Sequence, residues 1–315
     1  MAPDRYVLAI LGMVVLASLL PVRGPLAGDL AVFTKLVIAL LFFLHGAKLS
    51  RAAVVAGITH WRLHLVILAA TFALFPLLGL AAMWLPAAIL PKTLATGVLF
   101  LCCLPSTVQS SIAFTSVARG NVAAAVCAAS ASNLFGIFIT PLLVAVTLGV
   151  RGAGSPLDEA EAIALQLLVP FAAGQVARIW IAGWMQRHSK LVGLVDRSSI
   201  LLVVYGAFSE AVVRGIWGQV SALQILLLIA LCAALLGVVL ALTAFASRRL
   251  GFAKPDEIAI VFCGSKKSLA TGVPMAGILF PPASVGLVVL PVMLFHQLQL
   301  MACAVIAQRY AARQE

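Results

Sequence analysis

The sequence predicts an all-α membrane protein of ten transmembrane helices, arranged as an inverted 5+5 repeat in which spans 4 and 9 are discontinuous. Three observations predict this class. Hydrophobic residues make up 63% of the chain and charged residues only 10%, whereas soluble domains carry about 25% charged residues. Apolar runs of spanning length recur along the whole chain. Two of these runs are interrupted by polar residues at the same ordinal place in each half.

The spans are predicted from apolar runs near the 20 residues that cross a bilayer. They cover residues 6–22, 30–47, 63–85, 93–118, 120–148, 160–177, 198–213, 221–246, 256–280 and 284–308. The run 51–60 is too short to cross, so we expect an interfacial or re-entrant piece there. No polar stretch is long enough for a soluble domain. Residues 1–315 are therefore predicted to form a single polytopic membrane domain.

The net charge of +11 comes from basic residues at the ends of apolar runs, which is a topology signal and not a nucleic-acid surface. Fourteen Lys and Arg lie on one predicted side: Arg5, Lys48, Arg51, Arg62, Arg119, Arg178, Arg187, Lys190, Arg197, Arg248, Arg249, Lys254, Arg309 and Arg313. Four lie on the other: Arg23, Lys92, Arg151 and Arg214. This bias predicts cytoplasmic termini. The Ala- and Arg-rich composition favours a bacterial inner (plasma) membrane.

The fourth span contains the first interruption, "CCLPSTVQSSIAFTS" (102–116). Pro105 lacks a backbone donor and disfavours helix at Leu104. The polar residues that follow are Ser106, Thr107, Gln109, Ser110 and Ser111. Pro and Ser also occur in ordinary transmembrane helices, so this stretch alone does not decide between a binding site and a kinked helix.

The ninth span, which is the fourth of the second half, contains "CGSKKS" (263–268). Gly264 loosens the helix, and Ser265, Lys266, Lys267 and Ser268 supply polar groups. A charge at mid-bilayer costs about 2.5–3.5 kcal/mol on insertion scales, and such a residue is a functional hypothesis by default. Matched interruptions in the two halves predict a binding site where the broken helices meet.

These stretches resemble the bile acid:sodium symporter family. The likeness is strongest to its orphan branch, which includes bacterial homologues and a eukaryotic member linked to calcium regulation. It rests on residues 102–143, on "VYGAFSEAVVRG" (204–215) and on "FCGSKKSLATGVPMAGILF" (262–280), and it covers nearly the whole chain. The resemblance implies a panel domain near 1–50 and 160–215. It also implies a core domain near 51–150 and 216–310, whose two broken helices cross near the midplane.

In sodium-coupled members of this family, two sodium ions lie beside the crossover. Their ligand positions fall here on Thr71, Gln109, Ser110, Ser111, Ala129, Asn133, Val261, Ser265 and Lys266. Val261 replaces the glutamate that serves both ions, and Lys266 places an ammonium group nearby. Hard cations prefer oxygen ligands with negative charge, and a nearby ammonium repels them. We therefore expect no cofactor and no metal site; sodium is the one ion that the resemblance raises, and these substitutions argue against it.

Three roles for Lys266 and Lys267 stay open at this point. The lysines can fill an ancestral cation site as permanent structural charges. One of them can load and release a proton, because burial and a like-charged neighbour disfavour the charged form of lysine. One can bind an anionic substrate, helped by the half-helix that begins near Ser268.

Supporting positions are predicted at Thr71, Ser130, Glu210 and His296. The chain carries no motif of hydrolases, nucleotide enzymes or metalloproteases, so an enzyme is not expected.

The predicted function is a secondary active transporter that moves a small organic anion by alternating access, with sodium sites degenerate and partly replaced by Lys266 and Lys267. The competing class is a non-transporting or regulatory membrane protein that affects calcium homeostasis. Predicted partners are membrane lipid and an ion or small molecule; no nucleic acid is expected, and the oligomeric state stays open.

Overall fold

The regular structure is helical throughout the residues that the computed structural model describes, which are 5–48, 60–148, 156–213, 215 and 220–312. The helices are α1 (Arg5–Leu19), α2 (Pro25–Lys48), α3 (Trp61–Ala82), α4 (Lys92–Cys103), α5 (Gln109–Val117), α6 (Val122–Leu148), α7 (Pro156–Arg187), α8 (Ser189–Val213), α9 (Ala222–Arg249), α10 (Lys254–Gly264), α11 (Leu269–Leu279) and α12 (Pro282–Ala311). The short piece predicted at 51–60 lies, except for residue 60, outside these ranges.

Six helices of the described residues are long and apolar enough to cross a membrane. They are Pro25–Leu44, Trp61–Ala82, Val122–Leu148, Ser189–Val213, Ala222–Arg249 and Pro282–Ala311. The prediction of an all-α membrane protein is confirmed at this level. The count of ten spans and the inverted repeat stay predictions.

The chain groups into two compact units. The first contains Met1–Leu49, Arg151–Ser221 and Val273–Val289. In it, α2 packs closely on α7, because Gly46 and Gly174 leave no room for a Cβ against the backbone of the other helix. The second contains Ser50–Val150, Ala222–Gly272 and Leu290–Glu315. The panel and core division implied by the resemblance stays a prediction.

Two helices of the second unit stop where the sequence predicts interruptions. α4 ends at Cys103 because Leu104 is extended (φ −71°, ψ 154°), as expected for a residue before proline. Helical structure resumes at Gln109. α10 ends at Gly264, and α11 begins at Leu269. We call residues 104–108 the first break and residues 265–268 the second break. The region where the two breaks meet is called the crossover.

Helix α3 contains a π-helical turn over Ala70–Leu74. The Phe75 N–H donates to the Ala70 carbonyl, five residues back, and so is not used by Thr71. The next residue, Pro76, has no N–H to give. The Thr71 carbonyl is therefore left without a donor from its own helix.

Candidate ion and substrate site at the crossover

The two breaks are joined directly by hydrogen bonds within the second unit. The Ser268 N–H donates to the Pro105 carbonyl at 2.8 Å. In the other direction, the Ser106 hydroxyl donates to the Cys263 carbonyl at 2.6 Å, and the Ser111 hydroxyl to the Phe262 carbonyl at 3.1 Å. Each break therefore satisfies backbone groups that the other leaves unpaired.

Lys267 is fully buried, and its ammonium group lies among three backbone carbonyls. Its Nζ lies 2.8 Å from the Thr71 oxygen, 2.8 Å from the Cys102 oxygen and 2.7 Å from the Leu104 oxygen. We call these three oxygens the carbonyl cage. The Phe75 ring completes the surroundings, with its centroid 4.1 Å from Nζ. An ammonium group has three N–H donors, so the cage pairs every one of them.

The cage oxygens are available because the local backbone has no donor for them. Thr71 loses its donor through the π-turn and Pro76. Cys102 lies at the end of α4, where helix carbonyls are orphaned. Leu104 lies in the first break, immediately before Pro105. The sequence therefore builds the cage through two prolines: Pro105 follows the end of α4, and Pro76 removes an N–H donor within α3, which continues past it.

Lys266 is also fully buried but has a different environment. Its Nζ donates to one oxygen, the Ser110 carbonyl, at 3.0 Å. It lies 3.9 Å from the Phe114 ring centroid and 5.5 Å from that of Phe262. Cation–π contacts stabilise an ammonium group but do not accept its N–H donors as oxygens do. Of the two lysines, Lys266 thus retains donors for another partner.

Two amide side chains hold the breaks in place. Asn133 Nδ2 donates to the Ser106 carbonyl at 2.6 Å, and Asn133 Oδ1 accepts from the Thr271 hydroxyl at 2.8 Å. Asn133 therefore connects the first break to the start of α11. Gln299 binds both backbone groups of Lys267, with Oε1 2.9 Å from its N and Nε2 3.0 Å from its O. This fixes the peptide that carries the caged lysine.

Every backbone carbonyl from Cys102 to Ser106 is paired. Besides the contacts already given, the Cys103 carbonyl accepts from the Thr140 hydroxyl at 2.8 Å. The Ser106 N–H also has a partner, the Ser132 hydroxyl, at 3.0 Å. Buried backbone groups are costly when unpaired in a bilayer, so this pairing is what allows an irregular buried segment in a membrane protein.

Most of the predicted site residues belong to the crossover. They are Ser106, Thr107, Ser110, Ser111, Asn133, Ser265, Lys266, Lys267 and Ser268. Thr107 and Ser110 pair through their hydroxyls at 2.9 Å. The Ser265 hydroxyl donates to the Val261 carbonyl, 2.6 Å away. The Ser268 hydroxyl donates to that of Thr271, 3.0 Å away.

Other predicted residues are placed differently. Gln109 is exposed at the start of α5. Ser130 is half-buried, and its side chain has no hydrogen bond to any residue that the structure describes. Thr71 acts through its carbonyl, since its hydroxyl donates to Ile67 of the same helix. His296 Nδ1 lies 2.9 Å from Gln299 Nε2. Glu210 lies on α8 in the first unit, whereas the crossover belongs to the second.

Sequence reasoning did not assign site roles to several residues that the structure brings in: Phe75, Phe114, Ser132, Thr140, Thr271 and Gln299. Gln299 carried a usable signal, because an amide in an apolar span needs partners. The aromatic and hydroxyl residues gave no such signal in the sequence, because phenylalanine, serine and threonine are frequent in membrane helices.

The charge at the crossover is that of the two ammonium groups. No Asp or Glu forms an ion pair with Lys266 or Lys267 within the described ranges. Glu257, a buried acid near the start of α10, is paired with Lys254 at 2.8 Å and with Arg248 at 3.1 Å. The second break follows the opposite end of that helix. The crossover therefore offers hydrogen-bond donors and positive charge, which suit an anion, and its oxygen acceptors are neutral.

Comparison with known proteins identifies the family. Residues 4–312 match the SBF-like CPA transporter family. Over 314 residues the chain is 58% identical to "Uncharacterized protein PA2026" of Pseudomonas aeruginosa, covering 99% of this chain and 94% of that protein. It is 54% identical over 313 residues to "Putative symporter YfeH" of Escherichia coli, with 99% and 94% covered. It is 29% identical over 290 residues to "Sodium/bile acid cotransporter 7" of the mouse, covering 90% of this chain and 84% of that protein.

The chain belongs to the SBF-like CPA transporter family, a branch of the bile acid:sodium symporter family. The members of this family are membrane transporters and not enzymes, which agrees with the apolar helices of spanning length.

Proposed function

We propose that the chain is a secondary active transporter that moves a small organic anion across the bacterial inner membrane by alternating access. Ten spans in an inverted repeat, cytoplasmic termini and the panel and core division are part of this proposal. The observation that carries it is the pair of buried ammonium groups at the crossover, for which the described residues supply no carboxylate. Two uncompensated positive charges at this depth favour a negatively charged partner.

The two lysines have separate roles in this proposal. Lys267 is structural, because its three donors are all used by the carbonyl cage. Lys266 has one oxygen partner and is the group that pairs with the carboxylate of the substrate or exchanges a proton during transport. The residue whose carbonyl it contacts, Ser110, also carries a hydroxyl that pairs with the Thr107 hydroxyl, and both are neutral hydrogen-bonding groups.

Sodium is not part of the proposed mechanism. Val261, which stands where the resemblance places an acidic ligand, is buried and apolar. The Asn133 side chain, which the resemblance keeps as a ligand, is occupied by Ser106 and Thr271. Coupling to sodium would require an ion beside two ammonium groups, which repulsion in a low-dielectric site opposes.

The test is a ligand screen followed by transport. Purified protein in choline buffer is heated with a panel of small mono- and dicarboxylates, and a rise in the unfolding temperature identifies binding. Anions that stabilise the protein are then measured for uptake into proteoliposomes with sodium, potassium or a proton gradient. We expect anion-dependent uptake that is the same in sodium and potassium.

Lys266→Ala and Lys35→Ala form the matched pair for this test. Each variant removes one lysine from a predicted span, but Lys35 is exposed on α2 in the first unit, whereas Lys266 is buried in the second break. We expect Lys266→Ala to abolish stabilisation by the anion and Lys35→Ala to preserve it. Stabilisation that survives Lys266→Ala would contradict an anion site at this lysine.

A second candidate is a membrane protein that does not transport and instead affects calcium homeostasis. The complete pairing of the carbonyls from Cys102 to Ser106 favours it, because a break whose carbonyl oxygens are all used offers none of them to a transported cation. No stabilisation by any anion and no uptake, together with altered calcium content in cells that lack the protein, would support this function.

A further inference from the structure

The carbonyl cage consists entirely of backbone oxygens. Its oxygens belong to Thr71, Cys102 and Leu104, which are released by a π-turn, a helix end and a proline break. Neighbouring groups hold the cage walls independently: Thr140 binds the Cys103 carbonyl, and Ser132 binds the Ser106 N–H. These contacts hold the backbone on either side of the Leu104 carbonyl without any part of the Lys267 side chain.

The ligand set of the cage is that of a monovalent cation site. Backbone carbonyl oxygens replace the hydration shell of potassium in channel filters. The distances of 2.7–2.8 Å from the caged nitrogen exceed the values of about 2.0–2.1 Å for Mg²⁺ and about 2.3–2.6 Å for Ca²⁺. All three oxygens are neutral, so nothing in the cage compensates a double charge.

The Phe75 ring adds a preference among monovalent cations. Its centroid lies 4.1 Å from the caged nitrogen. An aromatic face binds weakly hydrated or organic cations well. The cage therefore suits ammonium, small alkylammonium ions and potassium.

We propose that this cage is a monovalent-cation site which the chain fills with its own tethered ammonium group. When Lys267 lacks its amine, the same oxygens bind a free ammonium, alkylammonium or potassium ion from solution. This goes beyond the proposed transport function, because it assigns a ligand class to a site that the substrate does not occupy. It differs from the sodium site implied by the resemblance. Thr71 is common to both sets but contributes its backbone carbonyl here, and Cys102 and Leu104 match none of the implied ligands.

The neighbouring lysine supplies the internal comparison. Lys266 has one carbonyl partner, on Ser110, and two aromatic rings. Ser110 lies inside α5, where the helix offers its carbonyl another donor. Removing the Lys266 amine consequently leaves no group of stranded oxygens to hold an ion.

The experiment measures the unfolding temperature of detergent-purified wild type, Lys267→Ala and Lys266→Ala. Each is heated in ammonium, ethylammonium, potassium, sodium, magnesium and choline chloride at equal ionic strength. Choline is the reference, because its quaternary nitrogen has no N–H and does not fit between the three oxygens. Where Lys267→Ala does not survive purification in choline, the readout becomes the fraction recovered as monodisperse protein in each salt.

We expect Lys267→Ala to unfold at a lower temperature than wild type in choline. Ethylammonium, ammonium and potassium should restore several degrees, rising with the logarithm of concentration as for a bound ligand. Sodium and magnesium should restore less. The unfolding temperature of wild type should be the same in every monovalent salt. The unfolding temperature of Lys266→Ala should likewise not depend on which monovalent salt is present.

Three outcomes would overturn the proposal. The first is a Lys267→Ala protein that gains no more from ammonium, ethylammonium or potassium than from choline. The second is failure to recover Lys267→Ala in any of the salts. The third is an equal gain by wild type, which would place the effect outside the cage. None of these readouts uses a transported anion, so failure here leaves the proposed function to its own test.

Discussion

Lys266 and Lys267 are adjacent in the chain and equally buried, yet the structure gives them different chemistry. Three carbonyl oxygens surround the Lys267 ammonium group, whereas Lys266 has one oxygen and two aromatic rings. The difference arises because successive residues of a break point to different neighbours. At the scale of a residue, burial and charge alone do not define the role of a lysine; its acceptor count does.

Gln299 leads to a prediction at this scale, because its amide binds both backbone groups of Lys267. Gln299→Met keeps the length of the side chain but strands a buried N–H and a buried carbonyl. Each stranded group costs about 1–3 kcal/mol, so we expect a loss of roughly 2–6 kcal/mol in the free energy of unfolding. Thermal unfolding of the purified protein measures it.

Gln297→Met is the control for this change. Gln297 lies two residues away on α12, is half-buried, and has no hydrogen bond in the part of the chain that the structure describes. We expect its replacement to change the free energy of unfolding by less than about 0.5 kcal/mol. Equal losses for the two variants would show that Gln299 does not fix the second break.

The sequence predicts which side chains meet at the crossover better than it predicts what they bind. Lys266 and Lys267 are assigned to the site from their place in an interrupted span, and Asn133 from the resemblance; the structure brings all three to the crossover. Their acceptors are mostly backbone carbonyls, which every residue carries and which no sequence pattern marks. Thr71 illustrates the limit: its position was predicted from the resemblance, but its carbonyl and not its hydroxyl makes the contact.

At the scale of an element, α3 shows how one proline changes a distant contact. The π-turn over Ala70–Leu74 directs the Phe75 N–H to Ala70, and Pro76 has no N–H for the Thr71 carbonyl. The unpaired carbonyl then accepts from Lys267, which lies 196 residues away in the chain. The proline in α3 is therefore part of the cage.

Pro76→Ala tests this role through a double-mutant cycle. The change supplies a backbone N–H at position 76, five residues after Thr71, so the π-turn can pair the Thr71 carbonyl without Lys267. We expect Lys267→Met to destabilise the Pro76→Ala protein less than it destabilises wild type. The expected coupling is about 0.5–3 kcal/mol, measured from the unfolding of the four proteins.

The same cycle with Lys266→Met provides the reference. Lys266 has no contact with the Thr71 carbonyl, so its effect and that of Pro76→Ala are expected to add within about 0.5 kcal/mol. Additive losses for Lys267→Met as well would mean that the Thr71 carbonyl contributes nothing to the cage.

Helix α6 passes close to the first break, and a glycine makes this approach feasible. A Cβ built on Gly136 would lie 2.7 Å from the Cβ of Pro105 and 2.8 Å from its Cγ. The proline ring cannot easily turn away, because the carbonyls of Leu104, Pro105 and Ser106 are all paired. We expect Gly136→Ala to lower the free energy of unfolding by about 1–3 kcal/mol through overpacking.

Gly237→Ala is the matched control for this helix contact. Gly237 also lies inside a long helix, α9, but a Cβ there would have no atom within 4 Å. Alanine is the better helix former by about 1 kcal/mol, so this variant should be as stable as wild type or more so. Thermal unfolding of both variants measures the difference. A lower free energy of unfolding in both would indicate a general effect of replacing helix glycines and not overpacking at Gly136.

At the scale of the whole molecule, apolar runs locate helices well and their ends poorly. The span predicted at 198–213 belongs to a helix that begins at Ser189, and the span at 160–177 to one that covers Pro156–Arg187. Hydropathy marks only the part of a helix that lies in hydrocarbon, whereas the helix continues into the polar interface. The breaks were located more sharply, because Pro105 and Gly264 act at single residues.

The distribution of basic residues predicts the orientation of the molecule. Fourteen Lys and Arg on one set of loops and four on the other place the termini in the cytoplasm only if the number of spans is even. The count of ten therefore rests partly on this bias, since removing or adding one span would mix the two sets of loops. An orientation measurement accordingly tests the number of spans together with the sidedness of the chain.

Reporter fusions provide that measurement. Alkaline phosphatase, which is active only outside the cytoplasm, is fused after Ala87, after Gly120 and after Glu315. Ten spans with cytoplasmic termini predict activity after Ala87 alone, because that loop follows the third span while Gly120 follows the fourth. Green fluorescent protein at the same three sites should show the opposite pattern. Phosphatase activity after both Ala87 and Glu315 would require an odd number of spans and would contradict the inverted 5+5 repeat.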